Sequence, residues 1–150
     1  MTMSISGCRA TVRCTPAVTD DTLFNGRLVC RQHRNGYRFS LDAVLLAHFC
    51  RPASGDRVLD LGCGCGVIGL ILTYRHPNLH ITGLELQPAL AKLAHSNVQE
   101  NHLQEHFTVV RGDLRTIRSH LKAESYELVL SNPPYHKVGS GRISREDECA

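Results

Sequence analysis

No apolar run in the sequence approaches the ~18–20 residues of a bilayer-crossing helix, and residues 1–21 lack the apolar centre of a secretory signal. Membrane association is therefore not expected, and the expected location is cytoplasmic. Acidic residues are missing from positions 1–19, where Arg9 and Arg13 stand among serines and threonines. An organelle transit peptide has that composition, but this stretch is short for one. Cysteine pairing is missing too. The seven cysteines (Cys8, Cys14, Cys30, Cys50, Cys63, Cys65 and Cys149) are odd in number and irregularly spaced, which favours reduced thiols over a disulfide framework. Cys63 and Cys65 stand closer together than the cysteines of zinc sites, and the nine histidines show no paired ligand spacing, so no metal is expected. Net charge is low. A value of +3 does not by itself mark a nucleic-acid-binding protein. Its distribution is uneven: six arginines face two aspartates up to Phe39, a balance of +4, whereas residues 40–150 balance at −1. The arginine-rich start can meet phosphates, or it is a solvated arm that touches nothing.

What is present is the composition of one ordinary globular domain, 42% apolar and 21% charged over 150 residues. Its centre is Val58-Leu59-Asp60-Leu61-Gly62-Cys63-Gly64-Cys65-Gly66-Val67-Ile68-Gly69, which reads as a short apolar strand, a glycine-dense turn and the start of an apolar helix. Four glycines within eight residues let the backbone bend sharply and let a ligand lie on its N–H groups. Residues 64–69 fit the dinucleotide fingerprint, which is weak when it stands alone. Asp60 chooses between ligands. At the carboxyl end of its strand, where open α/β sheets hold ligands, a carboxylate repels a pyrophosphate and attracts a ligand carrying ammonium and sulfonium groups. S-adenosylmethionine fits that description and NAD does not. The alternative role for Asp60 is a cap on the following helix.

Residues 1–21 show no periodicity and are expected to form a poorly ordered tail, with the domain proper over 22–150. Two short apolar pieces, 28–30 and 37–39, flank Asn35-Gly36 and predict a hairpin that turns there. Ser40 is the expected N-cap of a helix with Leu41, Val44, Leu45, His48 and Phe49 on one face, ending near Arg51-Pro52. The helix of the glycine unit must end before Pro77. A strand over 80–84 follows, then a helix opened by Pro88 with Leu90, Leu93, Ala94, Asn97 and Val98 on one face. A strand over 107–110, a short helix over 114–121 and a strand over 126–130 complete the pattern. Glu85, nineteen residues after Gly66 and at a strand tip, can accept hydrogen bonds from the ribose hydroxyls of an adenosine, or it is a helix cap. Asp113, at the next strand tip, can accept from an adenine amino group or cap the short helix.

The last strand runs into Ser131-Asn132-Pro133-Pro134-Tyr135, where consecutive prolines stop it and hold its carbonyls in place. The Asn132 amide oxygen and the Pro133 carbonyl offer two acceptors for a planar amino group, and Tyr135 can stack on the attached ring. Together with the motif at 60–66, this sequence resembles the class I S-adenosylmethionine-dependent methyltransferases that modify amino nitrogens, those of adenine in nucleic acids and of glutamine in proteins. The stretch Gly36-Tyr37-Arg38-Phe39-Ser40-Leu41-Asp42-Ala43-Val44-Leu45-Leu46-Ala47 is similar to the segment before the first strand in the bacterial tRNA1(Val) adenine-37 N6-methyltransferase family. Lys137-Val138-Gly139-Ser140-Gly141-Arg142 resembles a loop of some of its members.

The resemblance implies a Rossmann-like α/β fold with a doubly wound, mainly parallel sheet, here about four core strands plus an N-terminal hairpin. It implies S-adenosyl-L-methionine as cofactor, with Asp60, Gly62 and Gly64 at its methionine part, Glu85 at the ribose, and Asp113 with Leu114 at the adenine. Arg38, Ser40 and Asp42 would close over the methionine end. Asn132 and Pro133 would orient the substrate amine, and Pro134 and Tyr135 would meet an extruded base. The implied reaction is methyl transfer to the N6 amine of an adenine in RNA, with tRNA the expected kind. Folds of this kind have about six or seven strands. At ~30 residues per strand–helix unit, ~90 residues are expected to follow Ala150, or a partner chain is expected to cover the exposed edge of the last strand. Two other functions stay open: glutamine N5-methylation of a protein such as a release factor, to which residues 38–47 fit less well, and an inactive fragment that binds cofactor or RNA.

Overall fold

The computed structural model describes residues 17–35 and 38–133. Along the chain these form β1 (Val18–Leu23), β2 (Leu28–His33), α1 (Leu41–Phe49), β3 (Arg57–Leu61), α2 (Val67–Arg75) and β4 (His80–Glu85). Then come α3 (Pro88–Glu100), β5 (Phe107–Arg111), a 3-10 helix (Leu114–Ser119) and β6 (Leu128–Ser131). β1 and β2 pair as an antiparallel hairpin. The main sheet has the order β5-β4-β3-β6 with every pair parallel, the mainly parallel sheet of four core strands that the resemblance implies. Among the described residues no helix is long and apolar enough to cross a membrane.

The steps β3-α2-β4 and β4-α3-β5 move across the sheet in one direction, so right-handed crossovers put α2 and α3 on the same face. The connection from β5 then returns past β4 to the far side of β3. Strand order therefore reverses between β3 and β6, and the crevice of an open α/β sheet opens at the carboxyl ends of the strands at such a reversal.

α2 is apolar all round because it is covered on both sides: it packs against α1 and β2 as well as β4 and β5, and every residue from Val67 to Thr73 is buried. Gly69 lies where this helix meets the sheet. A Cβ there would sit 2.4 Å from the Phe107 ring, so only glycine fits. α3 turns its predicted face inward, burying Leu90, Leu93, Ala94, Asn97 and Val98 together with Ala91.

Four expectations need correction. The hairpin turns at Asn25-Gly26, where both residues have positive φ, and joins six-residue strands in the register Leu23↔Leu28 to Val18↔His33. Asn35-Gly36 would have paired much shorter pieces, and Gly36 is outside the described residues. The tail does not extend to residue 21, because Val18–Leu23 is a paired strand. The buried face of α1 is rotated from the expected one, keeping only Val44 of it against the core. Ala43 and Ala47 are buried, since small side chains let α1 approach closely, while Leu41, Leu45 and Phe49 are 69%, 55% and 83% exposed. The short helix after β5 is 3-10 and breaks at Thr116, whose φ/ψ of −116°/29° is not helical.

Gly69→Ala is expected to lower stability by ~1–3 kcal/mol through overpacking against Phe107, read as a lower urea midpoint at an unchanged m-value.

Candidate functional site

At the end of β3 the chain turns through Gly62, Cys63, Gly64 and Cys65 into α2, and the tip of β4 straps that turn down. The N–H groups of Gly62 and Cys63 donate to the Leu84 carbonyl at 2.8 and 3.1 Å, and the N–H of Gly64 donates to Glu85 Oε2 at 2.9 Å. Glu85 Oε1 accepts from the N–H of Gln87 at 2.8 Å, so each carboxylate oxygen keeps a free lone-pair direction. Cys63 backs onto Gly83, where a Cβ would lie 2.7 Å from the thiol sulfur, so Cys63 fills the tight turn. Gly62 has φ +74°, and nothing lies within 4 Å of where its Cβ would be; its backbone faces open space.

That space belongs to a small cleft lined by Gly62 and Gly64 of the turn, Phe39, Ala43 of α1, Ile68 of α2 and Asn132. Asn132 arrives there because β6 ends beside β3, pinned by a hydrogen bond from the Ser131 hydroxyl to the Leu61 carbonyl at 3.0 Å. Asn132 is partly buried and Pro133 is exposed. Pro134, Tyr135 and the loop at 137–142 lie outside the described residues. Another groove, lined by Ser54, Arg75, His76 and Asn78, lies at the amino ends of β3 and β4, the wrong end of an α/β sheet for its principal ligand.

Asp60 lies under the turn and does not line the cleft. It is 1% exposed, and among the described residues neither carboxylate oxygen has a hydrogen-bond partner. Burial, with the charge of neighbouring Glu85 added, pushes its carboxyl up to about 7. A buried carboxylate without a donor is poised for a positive or proton-donating group. It does not cap α2, whose N-cap is Gly66.

The remaining predicted residues are not among those that line the cleft. Asp113 accepts from the N–H of Arg115 at 2.8 Å and from its guanidinium at 2.9 Å, so it caps the 3-10 helix, and Arg115 holds its carboxyl down at about 2. Leu114 is exposed beside it. Arg38 is engaged by the hairpin, donating to Thr19 Oγ1 at 2.8 Å and pairing with Asp21 at 2.6 Å. Ser40 and Asp42 are exposed at the start of α1, 3.4 Å apart through their side chains.

Sequence reasoning missed Phe39, which enters the cleft because its N–H donates to buried Gln32 Oε1 at 2.8 Å, while Gln32 also donates to Asp21.

A parallel sheet whose glycine turn and Asn132 meet at the order reversal is the Rossmann-like fold of class I methyltransferases. Solved structures share it. A SAM-dependent methyltransferase from Thiobacillus denitrificans, in complex with S-adenosyl-L-homocysteine, aligns with TM-score 0.53 and 20% identity over 64% of this chain and 37% of its own. An RNA methyltransferase from Salinibacter ruber, also with S-adenosyl-L-homocysteine, aligns with TM-score 0.54 and 21% identity over 64% of this chain and 60% of its own. At these identities the likeness is one of fold. The chain belongs to the methyltransferase small domain family, matched over residues 41–145. Among curated relatives, the tRNA1(Val) (adenine(37)-N6)-methyltransferase of Yersinia pestis (strain Pestoides F) is 36% identical over 103 residues, 68% of this chain and 41% of the relative. The protein of the same name from Flavobacteriaceae bacterium (strain 3519-10) is 29% identical over 112 residues, 75% of this chain and 47% of the relative. The chain thus spans less than half the length of these relatives.

Asp60 titrates near 7 when folded, against an ordinary value of 3.8, so between those values the folded state holds the extra proton. Its contribution to stability therefore falls as pH rises through that window and levels off above it. In thermal melts without ligand, the wild-type Tm relative to Asp60→Asn is expected to drop from about pH 4 to about pH 7.

Proposed function

We propose that this domain binds S-adenosyl-L-methionine and orients an adenine N6 amine of RNA, specifically tRNA, for methyl transfer. The observation that carries the reading is the single cleft bordered by the glycine turn and Asn132. The residues fit the cofactor: the partnerless buried carboxylate of Asp60 suits a ligand bearing positive charge, and the open backbone at Gly62 suits close approach of its methionine part. The names of the curated relatives support tRNA adenine as substrate. An RNA substrate also supports a cytoplasmic location.

In this reading Gly62 and Gly64 hold the methionine part, with the buried Asp60 carboxylate acting on its positive charge from beneath the turn, Glu85 holds the ribose, and Asp113 with Leu114 the adenine. Arg38, Ser40 and Asp42 close over the methionine end, for which Arg38 exchanges its Asp21 partner. When bound, the cofactor supplies an electrophilic methyl group. The protein's part is then orientation: the Asn132 amide oxygen and the Pro133 carbonyl accept the two amine protons and aim the nitrogen lone pair, and Tyr135 stacks on the extruded base. Among the described residues β6 is an edge strand, and its unpaired side would accept a further strand.

Asn132→Ala is expected to leave the Kd for S-adenosyl-L-homocysteine within about twofold and to lower turnover by about 100-fold or more. Calorimetry and transfer of labelled methyl to tRNA measure the two quantities, and normal turnover would remove the role. RNA binding is expected to weaken steeply as salt rises from about 50 to 200 mM, measured by filter binding.

A further inference from the structure

Asn97 of α3 and Asn101, the C-cap of that helix, stand four residues apart, and their side chains bond β2 as a neighbouring strand would. Asn101 Oδ1 accepts from the N–H of Val29 at 2.9 Å, and its Nδ2 donates to the Val29 carbonyl at 2.7 Å. Asn97 Oδ1 accepts from the N–H of Arg31 at 2.8 Å, and its Nδ2 donates to the Arg31 carbonyl at 3.0 Å. Alternate residues of an antiparallel strand direct both main-chain groups to the same side, so two amides in register satisfy the edge of β2 that β1 leaves open. The hairpin is docked by mimicry of a strand.

Asn97 makes one bond that Asn101 does not. Its Nδ2 also donates to the carbonyl of Cys65, at 2.9 Å, within the glycine turn. The side chain is 0% exposed, and its three strong bonds occupy both amide protons and the oxygen. A buried amide on an apolar helix face is costly unless it is paired in this way. The thiols of Cys30 on β2 and Cys65 in the turn touch at 3.7 Å along the same seam.

We propose that Asn97 is a positioning residue for the cofactor turn, tying the carbonyl between Gly64 and Gly66 to the docked hairpin, so that loosening of β2 reaches the cleft. This rests on the turn holding the cofactor, as argued above, and adds the hairpin to the parts that set its affinity. Asn101→Ala is the control, because it removes the corresponding pair of hairpin bonds, together with a bond from Asn101 Nδ2 to the Asn97 carbonyl at 2.7 Å, and none to the turn.

The test uses the full chain in two measurements: amide hydrogen exchange over residues 61–68 without ligand, and calorimetric binding of S-adenosyl-L-homocysteine. Asn101→Ala is expected to lower Tm while turn exchange stays unchanged and Kd stays within about twofold. Asn97→Ala is expected to speed exchange in the turn and raise Kd about tenfold. Equal exchange and equal Kd in the two variants would overturn the proposal. If wild type itself fails to bind, the cofactor reading falls, and the exchange difference still decides whether Asn97 positions the turn. If Asn97→Ala does not fold, Asn97→Ser, which keeps a hydroxyl in the cavity, takes its place in both measurements.

Discussion

Backbone hydrogen bonds run from β3 to β4 on one side and to β6 on the other, and the chain reaches those neighbours by crossovers in opposite directions. Residues 61 and 131, seventy apart in sequence, become paired partners at the ends of adjacent parallel strands. The glycine turn and Asn132 leave from those ends, so the cleft between them is a consequence of pairing order. Helices α2 and α3 cover one face, and their packing stops the turn from collapsing into the sheet: Gly69 rests on Phe107, and Gly83 on Cys63.

Electrostatically the site is unbalanced in a way that suits a positive ligand. Asp60 is shut away without a donor among the described residues, whereas each Glu85 oxygen accepts one N–H, from Gly64 and from Gln87. One carboxylate therefore organises the turn and the other waits. The surface ion pairs behave differently. Arg57 grips Glu127 in a bidentate pair that closes β6 onto β3 at the amino end, half exposed and worth little on its own beside the strand pairing it accompanies.

Much of this was legible in the residues. Apolar runs bounded by glycine and proline located β3, α2, β4 and β5 to within a residue or so, and a 3.6-residue period gave the start and the buried face of α3, because in each local preference and tertiary packing agree. α1 was misread. Its leucine stripe looks like a buried face, yet the alanine stripe faces α2, since close helix approach rewards small side chains over large ones. The hairpin was misplaced for a related reason: two Asn-Gly pairs compete, and only the alternation that buries Leu28, Cys30 and Gln32 decides which one turns. Asn97 was read as part of an apolar face; nothing in its spacing announced that it would bond a strand and a turn at once.

The amino-acid sequence by itself determined the glycine turn, the proline-stiffened stop after β6 and the acidic residues at the strand tips, because φ freedom, ring closure and charge are properties of single residues and their immediate neighbours. Only the tertiary structure decided that Asn132 and the turn border one cleft, that Asp60 is buried without a partner among the described residues, and that Arg38 and Asp113 are engaged by Asp21 and Arg115. Those outcomes depend on which distant segments pair and how deeply each group is buried, and burial and pairing are set by the packed whole.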